Sequence, residues 1–302
     1  MSISVQGLKK SYGKVDALKG VTFDVGKGEL FGIIGPDGAG KTSLFRILST
    51  LLIADEGSAI VNGLDVIRDY KDIRRCIGYM PGRFSLYQEM TVEENLSFFA
   101  SVFGTTIQEN YWLIADIYKQ IEPFKNRRAG KLSGGMKQKL ALSCALIHKP
   151  SVLFLDEPTT GVDPVSRKEF WQMLHRLQEQ NITILVSTPY MDEATLCDRI
   201  ALMREGSFLT IDTPSHIVKD FKEPLFAASS GNMSRLLGVL RRMPEVKSSY
   251  AFGDVHHVVL DREASLSIVE SRLKEAGFTD VEMYPIPATV EDCFMALNSM
   301  ES

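Results

Sequence analysis

Short runs of apolar residues alternate with amphipathic segments along the first two thirds of the chain. The apolar runs lie at residues 30–34, 152–155 and 182–186. Runs of this length without alternation are typical of strands buried on both faces of a parallel sheet. Helices are predicted at residues 41–50 and 164–179, the second with Asp163 as its N-cap and Pro164 in its first turn. Strands that alternate with helices predict an α/β fold.

A helical block interrupts the strand-rich pattern. Before it, the pair Asn62-Gly63 carries the signal of a tight hairpin between two strands. A helical texture then extends from about residue 91 to residue 148, and Thr91 with Glu94 fits a capping box at its start. This arrangement predicts an inserted helical subdomain. Apolar residues recur at helical intervals along its first helix, at Leu96, Phe98, Phe99, Val102 and Phe103. The aromatic residues among them are predicted mainly to pack in the core.

A second domain is predicted after the pattern loosens near residues 213–224. The boundary gives one domain at residues 1–220 and another at residues 221–302. The second follows the order strand, helix, strand, strand, helix, strand and helix, which predicts a small α+β domain of ferredoxin-like character. No catalytic constellation is recognisable in it. His256 and His257 are adjacent on a predicted strand and point to opposite faces, so they are a poor metal-binding pair.

The composition is that of a globular protein and narrows the choice of partners. The 302 residues are 44% hydrophobic and 24% charged, and the formal net charge of -4 argues mildly against nucleic acid. The four cysteines lack metal-ligand spacing, so unreactive thiols in a reducing compartment are expected. No apolar run approaches the ~20 residues of a membrane span, and the first residues lack a signal-peptide pattern. A cytosolic location is expected, with membrane association only through a partner.

A glycine-rich loop follows the strand at residues 30–34. The loop matches the pattern G-x-x-x-x-G-K-[ST], and its residues are Gly35, Pro36, Asp37, Gly38, Ala39, Gly40, Lys41 and Thr42. Glycines let the backbone wrap closely and aim N–H groups at phosphate oxygens, and the following helix adds the positive end of its dipole. Lys41 can reach the β- and γ-phosphates, and the Thr42 hydroxyl can hold Mg²⁺. This phosphate loop in its strand–loop–helix setting predicts a nucleotide site.

Two carboxylates end the apolar strand at residues 152–155. Asp156 lies at the carboxyl end of that strand, beside the expected phosphate loop, where it can hold Mg²⁺ directly or through water. Glu157 follows it and can orient or deprotonate an attacking water. An ordinary strand end with two solvated acids is the alternative.

The segment Leu132-Ser133-Gly134-Gly135-Met136 lies between these two sites. With it in place, the chain resembles the nucleotide-binding subunits of ATP-binding cassette (ABC) transporters over about residues 1–230. The motifs occur in the family's order, with the phosphate loop as Walker A and Ser133 to Gly135 as the signature. Asp156 with Glu157 then corresponds to Walker B, and residues 161–163 resemble the D-loop.

The resemblance implies a P-loop, RecA-like ATPase core with an antiparallel β subdomain and an inserted helical subdomain. It implies ATP and Mg²⁺ as cofactors, bound between two subunits arranged head to tail. Glu157 is the implied catalytic residue, and Thr42 and Asp156 are the implied Mg²⁺ ligands. The implied ATP-binding residues are Tyr12, stacked on adenine, together with residues 35–42 and Ser43. Ser133, Gly134 and Gly135 would contact the ATP held by the partner subunit.

Two departures from the family's pattern fall at the implied site. Gly82 stands where the family has a Gln that contacts Mg²⁺ and the attacking water, and Gln88 is not expected to replace it. Pro189 stands where the family has a His that contacts the γ-phosphate, and proline offers no such hydrogen bond. Slow turnover of bound ATP is therefore expected. A heterodimer with a second ABC ATPase subunit is favoured over a homodimer, with Ser133 completing the partner's site.

The C-terminal residues 285–294 resemble the end of subunits from drug and polysaccharide exporters. The implied function is ATP hydrolysis coupled to export through an integral-membrane permease, at the inner face of the cell membrane. Phe84 and Tyr87 are expected either to line the groove for a coupling helix of the permease or to lie in the core. Two alternatives stay open: a regulatory cassette with little hydrolysis, and a soluble ABC protein that does not transport.

Overall fold

The computed structural model describes residues 1–300, with side chains to residue 298. The chain divides into two compact units, Met1–Pro214 and a second unit that begins at Ser215. The strands of the first unit are β1 (Ile3–Tyr12), β2 (Val15–Val25), β3 (Leu30–Ile34), β4 (Glu56–Val61), β5 (Leu64–Asp65), β6 (Ile77–Met80), β7 (Val152–Asp156), β8 (Thr183–Thr188), β9 (Arg199–Arg204) and β10 (Ser207–Asp212). Its α-helices are α1 (Lys41–Leu48), α2 (Tyr70–Cys76), α3 (Val92–Val102), α4 (Ile107–Tyr118), α5 (Gly134–Leu146) and α6 (Pro164–Glu179), and α7 (Pro214–Asp220) begins at the division.

A six-stranded sheet forms the centre of the first unit, in the order β10-β9-β3-β8-β7-β6. β3 runs parallel to β8 and β9, and β7 runs parallel to β6 and β8. The five residues of β3 and of β7 are all buried, as expected for strands covered on both faces. Parallel strands end at one edge, so the segments that follow β3, β7 and β8 meet there. The predicted α/β fold with a parallel sheet is confirmed.

A separate four-stranded sheet, in the order β2-β1-β4-β5, is antiparallel. The hairpin between β4 and β5 turns at Asn62 and Gly63, whose φ angles are 52° and 78°. These left-handed angles suit the Asn-Gly pair, and the predicted hairpin is confirmed. The core between the two sheets and α1 includes Phe45 and Phe154, whose ring centroids lie 6.3 Å apart.

The block between β6 and β7 is helical, with α3, α4 and α5 and two short 3-10 turns. The capping box of Thr91 and Glu94 is confirmed at the start of α3. The prediction that the aromatic residues of α3 lie in the core is wrong for Phe98, which is 38% exposed. Periodicity identifies residues that share a face, but it does not identify what covers that face.

Two further outcomes concern the remaining helices of the first unit. The predicted bounds of α6 are confirmed, and the Asp163 side chain accepts a hydrogen bond of 3.0 Å from the Ser166 amide. The sequence pattern predicts no helix at α2. Ile73 is the buried residue of that short helix, and Asp69 makes no capping hydrogen bond, so its periodic signal is weak. Across residues 1–300, no helix has both the length and the apolar character needed to cross a bilayer.

The second unit forms its own sheet and core. Its elements are β11 (Leu225–Ser229), α8 (Met233–Leu240), β12 (Val246–Phe252), β13 (Val255–Leu260), α9 (Leu266–Glu275), β14 (Glu282–Pro285) and α10 (Val290–Met300). The antiparallel sheet has the order β12-β13-β11-β14, which is a ferredoxin-like arrangement of two βαβ halves. Residues 301 and 302 of the predicted second domain lie outside the described part of the chain.

His256 and His257 make separate buried contacts in this unit. His256 Nε2 lies 2.7 Å from the Met233 carbonyl oxygen. His257 Nδ1 lies 2.6 Å from Oδ1 of Asp292, the buried third residue of α10. The two imidazoles therefore hold different elements to the sheet.

Candidate active site

The phosphate loop joins β3 to α1 in a conformation that requires glycine. Gly38 and Gly40 have φ angles of 80° and 106°, in the left-handed region. A Cβ atom on Gly40 would lie 2.2 Å from the Ala17 carbonyl oxygen, and one on Gly35 would lie 2.2 Å from that of Met203. Because these carbonyls belong to β2 and β9, the backbone of the loop packs directly against the strands of the core, which leaves no room for side chains at Gly35 and Gly40. Its outer residues are exposed, and they are Pro36, Asp37 and Gly38.

Lys41 is buried within the loop that it follows. Its Nζ donates to the carbonyl oxygens of Gly35 at 2.8 Å and Pro36 at 3.0 Å. It also lies 3.1 Å from Oε1 of Glu157, whose side chain is 22% exposed. A buried ammonium requires such partners. The loop therefore holds a cation at its centre, at the N-terminus of α1, and the Glu157 carboxylate occupies the side open to an incoming anion.

Asp156 and Glu157 lie at the edge where β7 and β8 end. Ser187 Oγ donates to Asp156 Oδ1 at 2.7 Å, and the Glu157 amide donates to Ser187 Oγ at 2.9 Å and to its carbonyl oxygen at 3.1 Å. Burial raises the pKa of the Asp156 carboxyl, although hydrogen bonds from Ser187 and Thr42 oppose this rise. This opposing effect indicates that the Thr42 hydroxyl of Walker A lies near the Asp156 carboxylate of Walker B. Two oxygen ligands side by side fit Mg²⁺.

Glu157 has a left-handed backbone, with φ of 49°. A non-glycine residue in this region costs about 1 kcal/mol or more. The two hydrogen bonds from its amide to Ser187 hold it there. This backbone conformation directs the carboxylate toward Lys41.

Tyr12 and Ser43 come together at the side of the loop. The Tyr12 hydroxyl lies 3.3 Å from Ser43 Oγ, and the tyrosine is 48% exposed. Lys10 Nζ lies 5.9 Å from the centre of its ring. An exposed aromatic ring beside a phosphate loop provides a surface on which a nucleobase can stack.

The signature residues lie at the start of α5, against the segment that follows Walker B. Ser133 is the N-cap of α5, and its Oγ accepts from the Met136 amide at 3.4 Å. A Cβ atom on Gly134 would lie 3.4 Å from the Gly161 carbonyl oxygen, and one on Gly135 would lie 2.7 Å from Ser166 Oγ. Ser133 and Gly134 are exposed. The structure thus brings the signature to the D-loop segment, with its first two residues open to solvent.

The two unusual positions both border the site. A Cβ atom on Gly82 would lie 3.0 Å from the Asp156 carbonyl oxygen and 3.7 Å from Glu157 Cβ, so a side chain there would begin beside Walker B. Pro189 follows Thr188, whose carbonyl oxygen accepts from the Gly35 amide at 3.2 Å. Gln88 instead lies against Gly130, and the Gly130 amide donates to the Gln88 carbonyl oxygen. The segment that contains Gln88 is thus held at the turn before the signature.

A cavity of about 470 Å³ lies between the helical block and the six-stranded sheet. Leu51, Phe84, Phe99 and Gln138 are among its lining residues. Phe84 is half-buried, and Lys137 Nζ lies 5.5 Å from the centre of its ring. Tyr87 is 52% exposed and contacts Phe98 edge to face at 5.1 Å. Phe84 lines the cavity, whereas Tyr87 lies on the surface, and neither aromatic is a fully buried core residue.

Sequence reasoning assigned no role to Ser187, Thr159 or Glu193, which support the site from behind. Thr159 and Glu193 are 1% and 2% exposed and hydrogen-bonded to each other. Ser187 is the register partner of Asp156 in the pairing of β7 with β8, and the two apolar runs in the sequence do not specify that register. Glu193 is an acid within a short helix, and the sequence carries no signal of its burial.

Comparison with known proteins identifies the family. A family model described as ABC transporter matches residues 18–160. The daunorubicin resistance ATP-binding protein DrrA2 of Streptomyces coeruleorubidus is 33% identical over 98% of this chain and 94% of its own length. The Nod factor export ATP-binding protein I of Rhizobium sp. (strain N33) is 33% identical over all of this chain and 98% of its own. This chain belongs to the ABC transporter family.

A longer ABC protein is also similar. The probable multidrug ABC transporter ATP-binding protein YbhF of Escherichia coli K12 is 38% identical over 98% of this chain. The match covers 52% of YbhF, so the chain spans about half the length of that relative.

Solved ABC cassettes are similar in fold to this chain over about 70% of its length. The chain matches cbiO1 of Clostridium perfringens, part of the ABC transporter complex cbiONQ, with a TM-score of 0.65 and 28% identity over 72% of this chain and 91% of the other. It matches the dimeric post-hydrolysis cassette MJ0796, bound to ADP and Pi, with a TM-score of 0.64 and 25% identity over 70% of this chain and 98% of the other. The predicted family and the predicted ABC ATPase fold are confirmed.

Proposed function

We propose that this chain is the ATP-binding subunit of an ABC exporter and that it binds Mg²⁺-ATP at its phosphate loop. The observation that carries the proposal is the buried Lys41, bonded to two loop carbonyls and paired with Glu157 at 3.1 Å. An anion that enters the loop can replace these partners with phosphate oxygens. Tyr12, exposed beside Ser43, supplies the surface for adenine.

In this proposal each polar group of the site has one task. Lys41 and the amides at the start of α1 bind the β- and γ-phosphates. Thr42 and Asp156 hold Mg²⁺, which neutralises phosphate charge when bound. Glu157, released from Lys41 by the phosphates, orients the attacking water and accepts its proton. Loss of the family's Gln and His at positions 82 and 189 leaves this carboxylate without two supporting contacts, so hydrolysis at this loop is slow.

The signature of this chain is proposed to serve a second ABC ATPase subunit. Ser133 and Gly134 are exposed at the N-terminus of a 13-residue helix, where a hydroxyl and the helix dipole can meet a γ-phosphate. A partner that carries its own Gln and His would form the productive site with them. This division of labour favours a heterodimer over a homodimer.

The permease is proposed to dock at the cavity lined by Leu51, Phe84 and Phe99. The cavity lies between the helical block and the ATPase sheet, so a coupling helix there would sense their relative motion. The chain would then act at the inner face of the cell membrane, with the second unit as an accessory domain. Relatives named for daunorubicin resistance and Nod factor export support export as the direction.

Nucleotide binding by the purified chain tests the first step. A fluorescent ATP analogue should bind in the presence of Mg²⁺ and be displaced by ATP. Lys41→Ala should abolish binding, because Lys41 is the central cation of the loop. Lys119→Ala, which removes the same charge from an exposed position at the end of α4, should leave binding unchanged. Equal binding by wild type and Lys41→Ala would contradict the proposed phosphate site.

A regulatory cassette that binds ATP without useful hydrolysis is the second candidate, and Gly82 and Pro189 favour it. Co-expression with a second ABC ATPase subunit and the permease separates the two functions. If this chain completes the partner's site, Ser133→Ala should abolish ATP turnover of the complex, whereas Glu157→Gln should reduce it only slightly. ATP turnover of the complex that is unchanged in both variants would indicate a regulatory role. Failure of the chain to co-purify with any permease would favour an ABC protein that does not transport.

A further inference from the structure

Glu193 is a buried acid behind the candidate active site. It belongs to the 3-10 helix Met191–Leu196 and is 2% exposed. Its Oε2 accepts from Thr188 Oγ1 at 2.5 Å and from Thr159 Oγ1 at 3.1 Å. One carboxylate oxygen therefore joins the segment after β8 to the segment after β7. A charge-assisted hydrogen bond is stronger than one between neutral groups, so this link holds both segments firmly.

Thr188 connects this carboxylate to the phosphate loop and to Asp156. Its carbonyl oxygen accepts from the Gly35 amide, the first amide of the loop, at 3.2 Å. The preceding residue, Ser187, donates to Asp156 Oδ1 at 2.7 Å. The Thr188 hydroxyl also accepts from the Tyr190 amide at 3.1 Å. Fixing the Thr188 side chain thus fixes the backbone beside both Walker motifs.

Thr159 provides the second connection, to Glu157. It lies two residues beyond Glu157 and is 1% exposed. The intervening turn must hold the left-handed backbone of Glu157, whose φ is 49°. With Thr159 anchored to Glu193 and the Glu157 amide anchored to Ser187, the strained residue is held on both sides.

Arg167 of α6 supplies the countercharge. Its Nη1 lies 3.7 Å from Glu193 Oε1, and its guanidinium stacks on the Tyr190 ring at 4.4 Å. Within the described side chains, neither Nη1 nor Oε1 has a hydrogen-bond partner. The ion pair thus neutralises the carboxylate at longer range and leaves Oε2 to bind the two threonines. Burial without this charge would be unfavourable.

We propose that Glu193 is a positioning residue for the metal–nucleotide site, a role that rests on the proposed binding of Mg²⁺-ATP. It touches neither nucleotide nor metal. Through Thr188 and Thr159 it holds Asp156 and Glu157 at the distance from the phosphate loop that a bound divalent cation requires. Groups that orient metal ligands from behind typically contribute about 10- to 100-fold to metal affinity.

Binding of Mn²⁺ to the ATP complex, followed by electron paramagnetic resonance, tests this role without requiring turnover. Glu193→Ala should weaken Mn²⁺ binding about tenfold, while ATP binding measured in a chelator changes little. Glu193→Gln should largely restore Mn²⁺ affinity, because the amide oxygen can accept from both hydroxyls. Thr188→Val should reproduce the loss, and the double variant Glu193→Ala/Thr188→Val should lose little more than either single variant.

Asp192→Asn is the matched control. Asp192 precedes Glu193, its side chain is 75% exposed, and it lies 3.9 Å from the same Arg167 nitrogen. It should leave Mn²⁺ affinity unchanged. The proposal is overturned if Glu193→Ala binds Mn²⁺ as tightly as this control. It is also overturned if Glu193→Ala weakens ATP binding equally with and without metal and the loss matches a decrease in the fraction of folded protein. Failure of the wild type to bind ATP would instead contradict the proposed function.

Discussion

Replacing Asp292 is expected to detach α10 from the sheet of the second unit. Its carboxylate is fully buried and accepts four hydrogen bonds. Oδ1 accepts from His257 Nδ1 and Tyr250 Oη, each at 2.6 Å. Oδ2 accepts from the amide and the hydroxyl of Thr289, each at 2.7 Å. The residue thus caps its own helix and joins it to β12 and β13.

The size of the effect follows from these contacts. A hydrogen bond to a charged group contributes about 1.5–3 kcal/mol, so Tyr250→Phe should cost about 2 kcal/mol. Asp292→Ala leaves His257 and Tyr250 as buried donors without an acceptor, and loss of one member of a buried pair costs about 3–5 kcal/mol. The double variant Asp292→Ala/Tyr250→Phe should lower the free energy of unfolding little more than Asp292→Ala alone, because the hydrogen bond from Tyr250 is already lost in the single variant.

Hydrogen exchange measured by mass spectrometry on the full chain reports the effect locally. Peptides from residues 246–260 and 290–298 should lose protection in Asp292→Ala, while peptides from the six-stranded sheet should not. Glu270→Gln, at an exposed position on α9, is the control and should exchange like the wild type.

The same contact gives a pH dependence. Burial alone would raise the pKa of Asp292, but hydrogen bonds from His257, Tyr250 and Thr289 outweigh it and lower the pKa. A lowered carboxyl pKa contributes stability that is present above the unfolded value of about 3.9 and is lost as the pH falls through the folded value. Asp292→Ala should therefore flatten the acid limb of the protection profile. Unchanged protection of residues 290–298 in that variant, at neutral pH, would refute this account of how α10 is held.

Four further predictions concern the nucleotide site. Gly82→Gln with Pro189→His, in a complex with a second ABC ATPase subunit, should raise hydrolysis at this chain's own loop by about 100-fold, and Gly82→Ala should not. Tyr12→Ala should weaken ATP binding in fluorescence titrations by about fivefold or more, since stacking contributes ~1–3 kcal/mol per base. Gly135→Ala places a methyl group 2.7 Å from a serine hydroxyl and should destabilise the first unit by about 1–3 kcal/mol in urea unfolding. Burial raises the pKa of Asp156, and a proton on this carboxylate competes with the metal. As the pH falls, Mg²⁺ should therefore stop promoting ATP binding at a higher pH than it would with a carboxyl of ordinary pKa. Titrations of ATP binding with Mg²⁺ at several pH values would measure this.

Local chemistry explains which parts of this molecule could be predicted from sequence. The bounds of α6 follow from Asp163 and Pro164, which act within one helical turn. The phosphate loop follows from glycines whose left-handed angles few other residues tolerate. In both cases the residue and its structural effect are neighbours in the chain.

Features that depend on distant partners could not be predicted in this way. Ser187 supports Asp156 only because β8 lies beside β7, and Glu193 is buried only because Thr159 and Thr188 meet it. The apolar face of α3 was recognisable, but Phe98 remains exposed because no other part of the first unit covers it fully. Sequence spacing identifies the face of an element, whereas tertiary contacts decide what that face meets.

The strained backbone of Glu157 has a consequence for how this site changes under mutation. Because φ is 49°, glycine or asparagine would adopt this left-handed backbone with less strain. Either replacement would lower the backbone cost at position 157 by about 1 kcal/mol. Either replacement would also leave the buried Lys41 without the carboxylate that lies 3.1 Å from it, so the net change in folding free energy is the backbone gain minus that loss. Glutamate at position 157 therefore combines a strained backbone with a side chain that pairs with the buried cation. The carboxylate is thus placed beside the phosphate loop at a cost in backbone strain, as the catalytic role proposed for it requires.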